Sequence, residues 1–163
     1  MNVQTTQDLF TRRLGDIHSS ACFMAQHIPS FVSAAEGKDL RKVLNLYLDV
    51  VRDNADRTEA ALAEGIKSAI SRDPTSVPAM VDDLFDLIDG IEEPSLVDTA
   101  IILSSTEIGS FEAQRLHLLA DVADLMGQGD AKESLQKCSQ RLRTICEQFA
   151  EIIHSQSATK DLN

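Results

Sequence analysis

Acid–imidazole pairs are where this chain could do chemistry, since it holds 26 Asp and Glu residues but only four His. A dimetal centre inside a helical bundle takes a Glu from each of two helices and a Glu-x-x-His pair from each of the other two. The i, i+3 spacing sets carboxylate and imidazole on one helical face, within reach of one ion. Glu151-Ile152-Ile153-His154 has that spacing, whereas His18, His27 and His117 have no acid three residues before them. His154 also falls near the expected end of the last helix, where a His is favoured by the helix dipole without any metal.

The remaining acids fall into rows. Asp49, Asp53 and Asp56 share one helix face and Asp82, Asp86 and Asp89 another, the pattern of solvated faces. Glu107 and Glu112 stand near the middle of a long helix, and Glu112, beside Phe111, is expected to be partly buried. If the chain bound iron or manganese, the ligands would come from Asp49, Asp53, Glu107, Glu112, Glu151 and His154. The favoured reading has no cofactor and no catalytic residue. The chain has no EF-hand, phosphate loop, nucleophile elbow or Cys-x-x-Cys. Cys22, Cys138 and Cys146 match no zinc spacing and sit in apolar helical patterns, so they are expected to be small buried hydrophobes in a reducing cytoplasm.

Five helices must position these groups, and no strand pattern competes with them. Helix 1 is expected from about Gln4 to Ala35, with Thr5 as cap, Asp8 three residues on, and a kink or break at Pro29. Helix 2 should start with Asp39 as its cap and reach about Ala69, followed by a loop at Ser71–Ser76. A short helix 3 follows, from Val77 to Asp89, capped by Ser76 and closed by Gly90. Helix 4 runs from Pro94 to Met126 with an apolar face that includes Ser104, Ile108 and Phe111. Its mid-helix Gly109 costs about 1 kcal/mol against Ala, which a close helix approach would explain. Asp130 and Glu133 form a capping box for helix 5, and the tail 155–163 is expected to fray.

The fold class is therefore all-α: a four-helix bundle with an additional short helix between helices 2 and 4, making one domain over 1–163. Aromatics are only 4% and Trp is absent, which suits helices better than sheets. A net charge of −11 argues against nucleic acid and against an anionic membrane surface as partners. No apolar run approaches the ~20 residues of a membrane span. The N-terminus lacks the basic and apolar regions of a secretory signal, so a cytoplasmic protein is expected.

The stretch Thr6-Gln7-Asp8-Leu9-Phe10, then Leu14-Gly15-Asp16-Ile17-His18-Ser19-Ser20-Ala21 and Ile28-Pro29, resembles the opening of the YciE/YciF family of ferritin-like bacterial stress proteins. The likeness continues through Tyr47-Leu48-Asp49, Asn54-Ala55-Asp56-Arg57-Thr58-Glu59 and Phe111-Glu112-Ala113. The resemblance implies a ferritin-like bundle, a homodimer and a dimetal site. Against the family pattern, however, Ala21 replaces a Glu and Gly109-Ser110 replaces a Glu-His pair. Asn54 stands for Gln or His, Val50 and Val51 for acidic and Thr residues, and Leu142 and Cys146 for acids. Set beside the family, the chain reads as a non-catalytic, stress-associated protein with the metal site erased. The alternatives are a metalloprotein using the residual acids, and an adaptor whose bundle face binds another helix.

Overall fold

The computed structural model describes residues 3–63 and 76–160, with side chains over 3–62 and 76–155, and all regular structure among them is helical. The helices are α1 (Thr6–Ala34), α2 (Lys38–Ala63), α3 (Ser76–Asp89), α4 (Ser95–Leu125) and α5 (Gly129–Lys160). The expected end of helix 2 and most of the loop after it lie outside the described residues.

α1 begins as its sequence requires. Thr5 Oγ accepts from Asp8 N at 3.0 Å while the Asp8 carboxylate accepts from Thr5 N at 3.0 Å, a reciprocal capping box. The Thr5 hydroxyl and the backbone amides together hold the Asp8 carboxyl below its ordinary range. Pro29 does not break the helix, which runs on for five residues. It forfeits one backbone donor, and Ser33 Oγ bonds the Pro29 carbonyl at 2.9 Å.

Asp39 and Asp130 are not caps: both lie in the first turn, because α2 starts at Lys38 and α5 at Gly129. A distant residue organises the start of α2. The Asp98 carboxylate, in the first turn of α4, accepts from Glu36 N and Gly37 N, both at 2.8 Å. It thereby ties the α1–α2 turn to α4. Glu133 pairs with Lys137 at 2.6 Å instead of closing a box. At the other end, Gly127 takes φ +72°. Gly127 N bonds Asp124 O and Gln128 N bonds Ala123 O, both at 2.9 Å, which closes α4 in a Schellman motif. α5 continues to Lys160, past the point where fraying was expected, since no Gly or Pro interrupts it.

The four long helices form a ring in which α1 packs on α2 and α4, and α5 packs on α2 and α4. Neighbours run antiparallel: His18 meets Ala55 and Thr58, Asp53 meets Arg141, and Ser139 Oγ donates to Ala113 O. α2 and α4 are thus parallel across the ring, so the chain between them must travel its length. α3 lies on that path and packs on α4 and α1, with Phe85 against Phe31 at 5.7 Å. The core inside the ring includes Leu14, Met24, Ile28, Leu44, Tyr47, Ile101, Ile108 and Phe149. Tyr47 and Phe149 meet edge to face at 5.9 Å. No helix among the described residues is long and apolar enough to cross a membrane.

Removing the Asp98 carboxylate orphans two backbone donors at once. Asp98→Ala is expected to cost about 1–3 kcal/mol, or roughly 3–8 °C in Tm, by thermal denaturation. Asp98→Asn, which keeps one acceptor oxygen, should cost less. Gly37→Ala should also destabilise, because a Cβ there would stand 2.7 Å from Asp98 Oδ2.

Candidate functional site

The place to look is the level of the ring where α4 turns a carboxylate inward. The apolar face of α4 is as the sequence reads at Ala100, Ile101, Ile108, Leu116, Leu119, Ala120 and Ala123, but at Ser104 and Phe111 it sits one residue on. Ser105, Ile108, Gly109, Glu112 and Ala113 are buried, whereas Phe111 is 38% exposed. Gly109 explains the register. α5 crosses so close that a Cβ on Gly109 would lie 2.8 Å from Cys146 Sγ. With no side chain at Gly109, the periodicity through the middle of α4 is ambiguous on paper.

Lateral contacts fix which residues share a level. Gly109 lies beside Cys146 and near Tyr47 Oη, and Ala113 O accepts from Ser139 on α5. Arg115 Nη1 reaches Ser20 Oγ on α1 at 3.4 Å. Counting along antiparallel α1 and α5 and parallel α2, Glu112 lies within about one helical turn of the level of Ala21, Val50 and Leu142. These are the positions where the sequence departs from the acidic pattern, and all four helices meet there.

Glu112 is 7% exposed and accepts from Arg115 Nη1 at 2.6 Å. The Arg115 guanidinium lies over the outer Phe111 ring, 5.2 Å from its centroid. Burial raises the Glu112 carboxyl to about 7, against the opposing pull of Arg115. Burial likewise pushes the Tyr47 phenol far above its ordinary range, and raises the Cys146 thiol. Asn54 is buried too, and its Oδ1 has no hydrogen-bond partner.

The other predicted ligands do not converge on Glu112. Asp49, Glu107, Glu151 and His154 are exposed. Asp53 is ion-paired to Arg57 and to Arg141, and the Arg57 hydrogen bond leads in lowering its carboxyl. His154 stands six residues short of the end of α5, not in its last turn. Among the described residues no three His, Cys, Asp or Glu side chains gather as a metal ion would need. One carboxyl and one neutral amide oxygen do not supply the donor set of a dimetal centre.

A second polar cluster escaped the sequence reading. His18 is buried, and its Nδ1 stands 3.1 Å from Ala55 O and 3.2 Å from Thr58 Oγ1. Thr58 Oγ1 donates to Asn54 O at 2.8 Å. An Nδ1–H tautomer satisfies both contacts and leaves Nε2 to face Cys22 Sγ at 3.6 Å. The i, i+4 spacing of His18 and Cys22 was the available signal. Burial raises the Cys22 thiol, and the nearby Glu59 and Asp56 charges raise it further, so the pair is not an activated thiolate. Of the three cysteines only Cys138 is fully buried; Cys22 and Cys146 are half-buried, and all three are free.

The model of the domain of unknown function DUF892 matches residues 5–161. Protein YciF of Escherichia coli (strain K12) is 19% identical over 138 residues, 84% of this chain and 83% of that one. The crystal structure of the E. coli stress protein YciF superposes with a TM-score of 0.85 at 16% identity, covering 92% of this chain and 95% of that one. YcfI from Rhodopseudomonas palustris gives a TM-score of 0.82 at 17% identity, over 91% and 95% of the two chains.

The Glu112 geometry sets a pH dependence. In the unfolded chain this carboxyl titrates near 4.5, and in the folded chain near about 7. Between those values the folded state holds a proton that the unfolded state has released, so stability falls as pH rises through the window. Glu112→Gln removes the titration. Denaturant unfolding from pH 5 to pH 8 should therefore show the variant gaining on the wild type by on the order of 2 kcal/mol. A gap that stays flat or shrinks would contradict the assignment.

Proposed function

The chain belongs to the DUF892 family and is a relative of YciF, and from that footing we propose a non-catalytic, stress-associated ferritin-like bundle whose dimetal site has been lost. It acts in the cytoplasm as a homodimer, without cofactor. A ring of four antiparallel helices with one long crossover is the arrangement of ferritin-like folds.

The single observation that carries the reading is the composition of the Glu112 level. Across it stand Ala21, Val50 and Leu142, where inward ligands would be required. Ala, Val and Leu cannot ligate, and the Gly109–Cys146 approach occupies the adjoining level with backbone and thiol. The one acid left is partnered within its own helix by Arg115. An apolar filling removes the cost of burying unpaired charge at a site that no longer takes ions.

Restoring one acid should then harm the protein rather than revive it. Ala21→Glu would set a second carboxylate at the Glu112 level with no added cation, costing on the order of 2 kcal/mol. Thermal melts with and without iron(II) or manganese(II) check this: the expected outcome is a lower Tm that neither metal restores. Elemental analysis of the purified wild type should find less than stoichiometric metal. Stoichiometric iron or manganese in the wild type, or metal rescue of the variant, would overturn the reading.

A further inference from the structure

The outer side of α4 is unlike the rest of the surface. Leu96, Leu103, Phe111, Leu118 and Leu125 are 53%, 55%, 38%, 55% and 85% exposed. They recur at intervals of seven or eight residues, so they form one stripe down the helix. From Leu96 to Leu125 it runs about 43 Å at 1.5 Å per residue. The other large apolar side chains left in water, such as Leu9, Leu46 and Leu87, come singly on separate helices, which is ordinary for a soluble surface. α4 is thus apolar on its core face and again on its outer face, a pattern proper to a helix covered on both sides.

The stripe is also a palindrome. Leu96 and Leu125 lie equally far from the point between Ser110 and Phe111, and so do Leu103 and Leu118. A two-fold axis through that point lays one α4 antiparallel on its twin, with Leu96 opposite the twin's Leu125 and Leu103 opposite the twin's Leu118. Phe111 meets its own copy near the axis. In that register no acid faces an acid: Glu107 comes opposite Gln114, Asp121 opposite Ala100, and Asp124 opposite Val97. For a chain of net charge −11, self-association requires a face on which like charges do not oppose one another.

We propose that the occupant of this stripe is a second copy of the chain, paired through α4 against α4 in an isologous two-fold contact. The proposal rests on the homodimer reading above and gives it a surface and a register. It is tested by light scattering over a wide concentration range on the wild type, Leu103→Glu/Leu118→Glu and, as control, Leu46→Glu. Circular dichroism checks that each is folded. The wild type and control should have twice the chain mass, and the stripe variant should dissociate, its dimer weakened on the order of a hundredfold or more. Glu107→Cys/Gln114→Cys should give a covalent dimer on mild oxidation, at a concentration where the wild type gives none. A dimer that survives in the stripe variant and is not captured by the cysteine pair overturns this surface while leaving a homodimer standing. A wild type that is monomeric throughout overturns both. Neither result bears on the metal reading, which elemental analysis decides.

Discussion

A carboxylate turned into a ring of four helices needs a cation within reach, or a proton. Most of the interior obeys this constraint by carrying no charge at all. Ala21, Val50 and Leu142 keep their level neutral, and Glu112 is the exception that defines the cost. Arg115, one turn along the same helix, supplies a cation from the outside edge of the ring. Burial still outweighs it, since the carboxyl titrates far above the ordinary glutamate range. A second acid at this level would have no such neighbour. The lack of clustered ligands among the described residues and the raised Glu112 carboxyl are therefore two consequences of one electrostatic condition.

The same helix also sets the geometry of the ring. Gly109 lets α5 approach to the distance at which Cys146 fills the space a Cβ would occupy. Asp98, at its other end, holds the turn between α1 and α2. Gln128, just past its C-terminus, donates to Gln7 at the start of α1 at 3.0 Å. α4 is thus fixed to α1 near both ends and pressed on α5 in the middle. Levels across the ring are consequently set by α4, and so is the side chain that turns inward at each one.

How much of this the sequence revealed depends on where the determining contact lies. Local determinants were legible. Thr5 and Asp8 close their box within one turn, Gly127 takes the left-handed conformation at the end of α4, and Gly109 marks the close crossing. Determinants that act across the ring were not. Asp39 and Asp130 read as caps by residue type, yet each sits inside a first turn, and the start of α2 answers to Asp98, about sixty residues away. Phe111 read as core because an aromatic at helical spacing normally is. Yet the approach of α5 at Gly109 turns the next acid inward and leaves the ring half in water. His18 and Cys22 were each read alone, because the groups that fix the His18 ring, Ala55 O and Thr58 Oγ1, are on another helix.

Phe111 and Glu112 show why the two faces of α4 cannot be understood separately. Arg115 touches both, with its guanidinium bonded to the buried carboxylate and its plane over the outer ring. A guanidinium held between a carboxylate and an aromatic face loses less freedom per contact than one reaching from solvent. Phe111 therefore positions the cation that the interior needs, and it does so from a surface position that a purely solvated helix would give to a polar residue. The same ring lies at the centre of the outer stripe. Covering it would withdraw water from Arg115 as well, and a charge pair gains strength as its surroundings lose water. The residue that looked misplaced on the surface thus links the one charge inside the ring to the face where the helix is still uncovered.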